Sequence, residues 1–168
     1  RPFFWKYKRK IDIYGDPYTI SHLKKRQNYL FKKVGPYSPI VEPHVIKSEF
    51  SLGKSNEKVI IDSIKVRHGY TSSLAYIFEK TAYISDCNDL SIIKKDKLKH
   101  LKNLIIDCLS VGQHHSHFSL YDSLYIHHHL KPKKTILTNL HYDMDYNSLI
   151  KKLPSNVIPA HDGLKINL

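Results

Sequence analysis

The sequence predicts a layered α/β domain. Three observations carry that prediction. The first half of the 168 residues is rich in short apolar-alternating runs. The second half alternates apolar strand-like runs with amphipathic segments of helical length. No repeat and no internal linker divides the chain, so residues 1–168 are read as one domain.

The elements follow in order. Residues 10–14 alternate as a strand, and Gly15-Asp16-Pro17 ends it as a turn. Thr19 is the expected N-cap of a helix running through Leu23, Arg26 and Leu30. Residues 35–43 are Pro-rich and read as a loop. Strands are expected over 45–50 and 59–66, separated by a turn at 53–56. A hairpin is expected over 74–79 and 82–85 around Lys80-Thr81. Residues 91–101 read as an amphipathic helix with Ile92, Ile93, Leu98 and Leu101 apolar. Residues 104–107 read as a buried strand, and 119–130 as a helix with Leu120, Leu124 and His128 on one face. A strand over 135–137, a helix over 145–152 stopped by Pro154, and strands over 157–159 and 164–166 complete the pattern.

Composition narrows the class. An apolar fraction of 41% is that of a chain able to build a core. No apolar run approaches the ~18 residues a bilayer requires, so no membrane partner is expected. Cys87 and Cys108 are the two cysteines and do not form a CxxC pair, which argues against a thiolate zinc site and fits a reducing cytoplasm. The net charge of +12 attracts anions, which makes nucleic acid a candidate partner. The excess is mostly Lys in a chain also rich in Ile, Asn and Tyr, a combination that compositional bias also produces. Lys6-Tyr7-Lys8-Arg9-Lys10 is the densest basic stretch and reads as a solvated edge. No Gly-rich phosphate loop, no GxSxG and no zinc-finger pattern is present.

Four turns rich in His, Asp or Asn stand out: Arg67-His68-Gly69, Ile84-Ser85-Asp86, His114-His115-Ser116-His117 and Thr138-Asn139-Leu140-His141. Imidazoles and carboxylates at strand ends suit divalent cations, because the backbone there is rigid and the side chain leaves the sheet. A carboxylate such as Asp86 has two oxygens and is able to bridge two cations. Each residue alone also reads as ordinary turn chemistry. His117 lies just ahead of a helix N-terminus, a place that favours an anion. That suits contact with a phosphoryl oxygen or protonation of a leaving group. Either Asn139 or His141 is able to reach a site above residues 136–138, and the sequence leaves both open. His127-His128-His129 point in three directions on a helix and do not share a cation.

The order and spacing of His68-Gly69, Leu74-Ala75-Tyr76, Ala82 to Asp86, His115-Ser116-His117, residues 136–146 and Ala160-His161-Asp162-Gly163-Leu164 resemble the later part of metallo-β-lactamase-fold hydrolases, and more narrowly the phosphoribosyl cyclic phosphodiesterase branch. The segment Asp12-Ile13-Tyr14-Gly15 through Phe31 continues the match, so the resemblance covers essentially the whole chain. It implies a four-layer αββα sandwich with its N-terminal part missing, and two divalent metal ions, Zn or Mn, in the complete protein. By that resemblance His68 binds one metal, Asp86 bridges both, and His141 binds the second. Asp86 and His117 are the implied catalytic residues, and His117, His115 and Asn139 the implied substrate contacts. A metal-bridged hydroxide would attack the phosphorus of a cyclic or other phosphodiester. Two departures matter. The HxHxDH motif of the family is absent, so this chain is expected to bind metal weakly or not at all and to be inactive as it stands. Asn139 stands where these phosphodiesterases often carry a ligand His, and His141 is the substitute. Beside the hydrolase stand two other readings: a non-catalytic basic module binding anions or RNA, and a degenerate fragment that melts without cooperativity. The expected partners are a small phosphodiester and nucleic acid, and a homodimer is compatible with both.

Overall fold

The computed structural model of the chain describes residues 1–53 and 55–167. They form two compact units, Arg1–Phe50 and Ser51–Leu168.

The first unit holds helix α1 (Pro2–Tyr7), strand β1 (Ile11–Gly15), helix α2 (Pro17–Arg26) and strand β2 (Val41–Val45). β1 and β2 pair in parallel, Ile11 against Val41 through Gly15 against Val45. The helix α2 is capped by Asp16, whose carboxylate accepts from the Thr19 backbone N–H at 2.6 Å, with Pro17 opening the first turn. The cap expected at Thr19 therefore lies three residues earlier. The helix also ends at Arg26, and Asn28–Leu30 is a separate 3₁₀ turn. The expected loop over 35–43 gives way to β2 at Val41; Pro43 is tolerated because β2 has a partner on one side in this two-stranded sheet. The single strand expected over 45–50 is instead the end of β2 and the start of β3 (Glu49–Leu52).

The second unit is built on a seven-stranded sheet in the order β3, β4 (Val59–His68), β5 (Thr71–Phe78), β6 (Thr81–Ile84), β7 (Asn103–Asp107), β8 (Lys134–Thr138) and β9 (Val157–Pro159). The turn expected at 53–56 includes Lys54, which lies outside the described residues. β4, β5 and β6 are antiparallel, while β6 through β9 are parallel. The parallel strands are nearly continuous in apolar side chains, as burial on both faces requires. Ala82, Ile84, Leu104, Ile106 and Leu137 are fully buried and join Ile92, Leu98, Phe118 and Ile126 in one core.

Helix α3 (Leu120–Leu130) opens on a capping box. The Ser119 hydroxyl accepts from the Asp122 N–H at 3.2 Å, and the Asp122 carboxylate accepts from the Ser119 N–H at 3.0 Å. Ser119→Ala is expected to lower stability by about 1 kcal/mol, or roughly 2–4 °C in melting temperature; an unchanged thermal midpoint would count against the cap. The buried face carries Ser123 and Ile126, with Leu120, Leu124 and Leu130 against the core, whereas His128 is exposed. His128 therefore leaves the face expected for it, because its neighbour His127 takes the inward position and meets the Thr135 hydroxyl at 2.8 Å.

Two expected elements are absent among the described residues. Residues 91–101 form two 3₁₀ turns, Leu90–Lys94 and Asp96–Leu98, in place of one helix. Lys95 is extended between them (ψ 117°), so Ile92, Leu98 and Leu101 reach the core with a spacing no continuous helix would give. Residues 164–166 follow the turn at Gly163 without joining a strand. Helix α4 (Tyr146–Ile150), capped by Asp145, is shorter than the segment expected over 145–152. Among the described residues no helix is long and apolar enough to cross a membrane.

Candidate metal centre

β4 and β6 are each antiparallel to β5, so they run in the same direction as one another and as β7, β8 and β9. The carboxyl ends of β4, β6, β7 and β8 consequently share one edge of the sheet. In open α/β sheets, that edge is where ligands bind. His68 closes β4, Asp86 follows β6, Asp107 closes β7, and Asn139 follows β8. Four segments far apart in sequence thus deliver polar side chains to one place.

His68, Asp86 and His117 each offer one ligand atom, and these atoms lie within 4.8 Å of one another. The His68 Nε2 is 3.2 Å from His117 Nε2 and 4.0 Å from Asp86 Oδ1. The two rings meet edge to face with centroids 4.7 Å apart. Asp86 accepts through Oδ2 from the Ser85 hydroxyl at 2.9 Å.

His117 is oriented from behind. Its Nδ1 lies 2.7 Å from Asp107 Oδ2, and Asp107 is completely buried. A carboxylate in that position accepts the hydrogen bond of Nδ1–H, which keeps the proton on Nδ1 and leaves Nε2 facing the centre. His68 and His117 cannot then both present lone pairs at 3.2 Å, so one of the two nitrogens carries the proton of this contact. Burial pushes the Asp107 carboxyl above the usual carboxylate range, against the opposing pull of the His117 contact and the Cys87 N–H. The Cys87 N–H donates to Asp107 Oδ2 at 3.3 Å, and Asn139 Nδ2 donates to Asp107 Oδ1 at 3.3 Å. Asn139 also donates to the Ser85 carbonyl, which ties the start of the β8 loop to the turn that carries Asp86. It does so in the left-handed backbone region, φ +61°, which Asn tolerates better than most residues.

The loop carrying His117 is seated on the β4–β5 turn. Gly69 has φ +58°, and a Cβ there would meet the Ser116 Cβ at 3.1 Å. Its N–H donates to Asn88 Oδ1 at 3.1 Å, while Asn88 Nδ2 donates to the His115 carbonyl at 2.7 Å. Asn88 thus clamps both turns with one side chain. The His115 ring is exposed, and the His114 Nδ1 lies 3.2 Å from the Ser116 hydroxyl.

Of the residues expected from the sequence, His68, Asp86 and His117 converge. Asn139 sits beside them with its amide engaged. His115 contributes its backbone to the loop and its ring to solvent. His141 is exposed and pairs through Nδ1 with Asp143 at 2.8 Å, outside the three-residue group. His117, assigned to the substrate, therefore stands among the metal-competent groups. Asp107 and Asn88 were missed. Asp107 carries the signal that singles out Asp86, a carboxylate ending an apolar strand, but reads equally as the last residue of the buried strand over 104–107. Asn88 carries no signal beyond that of a turn residue. Both thiols are inert: burial pushes Cys87 and Cys108 up to about 12.

This mixed sheet, with its site at the strand ends, matches solved structures of the metallo-β-lactamase fold. The chain is similar to a diphosphatase of the PhnP family, with 28% identity and a TM-score of 0.77 over 94% of this chain and 57% of that one. It is also similar in fold to YhfI from Bacillus subtilis (15% identity, TM-score 0.65, 92% of this chain and 64% of that one). The short form of human tRNase Z aligns at 14% identity and a TM-score of 0.58, over 95% of this chain and 68% of that one. The chain thus spans less than two thirds of the length of the first two. A family model described as a beta-lactamase superfamily domain matches residues 3–142, and the chain belongs to that superfamily. No curated protein matches the sequence.

Proposed function

We propose that the protein is a metal-dependent hydrolase acting on phosphodiesters, with residues 1–168 forming one part of a metallo-β-lactamase-type catalytic domain. The observation that supports this reading is the convergence of His68, Asp86 and His117 at the carboxyl ends of the strands. The donors are nitrogen and oxygen only, which suits Zn²⁺, Mn²⁺ or Fe²⁺. The anchoring of His117 by a buried carboxylate is the outer-shell arrangement that metal-binding imidazoles use. Three donors suit one cation, and a second calls for groups beyond this set. His141 would supply one through Nε2.

When bound, the cations would activate water and neutralise charge on the phosphoryl oxygens. The protein's own groups do the rest. Asp107 fixes the ring of His117 with Nε2 toward the centre: as a bare nitrogen it would hold the cation, and only when protonated and off the cation would it contact a phosphoryl oxygen or give a proton to the leaving alcohol. Asn139 presents its remaining Oδ1, and His115 its exposed ring, to the substrate. The PhnP-family neighbour is described as a diphosphatase, which favours phosphate-ester chemistry among the reactions this fold hosts. The two inert free thiols suit a cytoplasmic setting.

The test is elemental analysis and Mn²⁺ or Zn²⁺ titration of this chain and of a form extended upstream to include an HxHxDH segment. About two metals per chain and phosphodiester turnover in the extended form, with weak binding here, is the expected result. Metal bound by neither form would overturn the hydrolase reading.

A further inference from the structure

The first unit carries chemistry of its own. Residues 1–50 hold eleven Lys and Arg against four Asp and Glu, a net +7 out of +12 for the whole chain. They also hold ten of the nineteen aromatic residues. Many are exposed: Phe3 is 62%, Trp5 57% and Tyr18 72% accessible, with Tyr7, Tyr29 and Tyr37 about half accessible. Aromatic side chains normally supply core. Here they stand out among cations.

Two clefts give this surface a direction. One is lined by Phe3, Tyr7, Arg9 and Lys10. The other is lined by Lys10, Lys24, Lys25, Lys32 and Phe31. Lys10 belongs to both, so the clefts adjoin. Phe3 and Tyr7 are one turn apart on α1 with ring centroids 5.1 Å apart. The acidic groups in the clefts are already matched: Glu42 pairs with Lys10 at 2.7 Å and Asp12 with His44 at 2.7 Å. Among the described residues, Lys24, Lys25 and Lys32 enter no ion pair with protein carboxylates and are exposed. Rings followed by a row of uncompensated ammonium groups are what a flexible polyanion with flat bases requires: stacking takes any base, and the lysines track the phosphates.

We propose that this surface binds single-stranded nucleic acid, with bases stacked on Phe3 and Tyr7 and the backbone passing Lys10 to Lys24, Lys25 and Lys32. The proposal is independent of the hydrolase reading, because it needs no metal.

The experiment measures anisotropy of a fluorescein-labelled oligouridylate with the full chain in EDTA. With three phosphates neutralised by Lys24, Lys25 and Lys32, affinity falls about 20-fold between about 50 and 200 mM salt. The triple variant Lys24→Glu, Lys25→Glu, Lys32→Glu weakens binding at least about tenfold. Phe3→Ala with Tyr7→Ala weakens it by about tenfold or more. A control triple, Lys94→Glu, Lys95→Glu, Lys133→Glu, changes exposed lysines of the second unit by the same charge and has a much smaller effect. All the altered side chains are exposed, and thermal melts verify the fold. Equal loss from both triples would reduce the effect to net charge and overturn the proposal. So would unchanged binding in the aromatic variant, or an equal affinity for duplex.

Discussion

Replacing His68 by Ala, or Asp86 by Ala, in the upstream-extended protein is expected to lower Mn²⁺ or Zn²⁺ affinity by on the order of 100-fold or more. Loss of an outer-shell partner alone costs 10–100-fold, and these two are proposed as direct donors. Turnover of a phosphodiester should fall at least as far. The two substitutions should differ in one respect. His68 is a single-nitrogen donor, whereas Asp86 has two oxygens and is proposed to bridge, so Asp86→Ala should reduce bound metal from about two per chain toward zero and His68→Ala toward one. His141→Ala should also reduce it toward one if His141 leaves Asp143 to bind. Metal content and turnover unchanged in both His68→Ala and Asp86→Ala would sink the assignment. Neither change should unfold the protein, because both side chains are partly exposed, at 26% and 40%.

The second large effect is at Asp107. It is fully buried and serves His117, the Cys87 N–H and Asn139 together. Asp107→Ala leaves an imidazole and a backbone N–H without their acceptor and removes one of the two acceptors of the Asn139 amide, and about 3–5 kcal/mol of stability should be lost. For a chain of this size that is roughly 6–20 °C in melting temperature. Asp107→Asn keeps the shape and one acceptor oxygen, so most of the stability should return. Turnover should not return with it, because a neutral amide no longer fixes the His117 tautomer with a charge. Urea melts and turnover on the two variants separate these roles. A loss below about 1 kcal/mol in the alanine variant, or full activity in the asparagine variant, would show that the pair neither holds the fold nor positions the ring.

Strand positions were legible in the sequence wherever burial on both faces demands an apolar run. The segments expected at 104–107, 135–137 and 157–159 correspond to β7, β8 and β9. The helix over 119–130 was legible from the apolar face of Leu120 and Leu124, and the structure adds the capping box of Ser119 and Asp122 at its start. The segment 91–101 misled because four apolar residues within eleven read as one helix, although Ile92, Leu98 and Leu101 do not share one helical face. A core able to receive Ile92 and Leu98 from separate short turns imposes no such continuity. The strand expected at 164–166 failed for a related reason: alternation marks a segment able to pair, and pairing needs a neighbour.

The sequence by itself determined which residues have the chemistry for the site. His68, Asp86 and His117 stand out as imidazoles and a carboxylate beside turns, and the family follows from their order. The tertiary structure decided which of them meet. β5 reverses the chain twice, so β4 and β6 end at the same edge and bring His68 to Asp86. The loop held by Asn88 and Gly69 then lowers His117 onto them, while His141, two residues beyond Asn139, turns to Asp143. Asp107 became more than a strand residue only when its buried carboxylate met the ring of His117. Residue type and local spacing are properties of the chain, but distances of a few ångströms between side chains far apart in sequence arise only from strand direction and register, which packing selects.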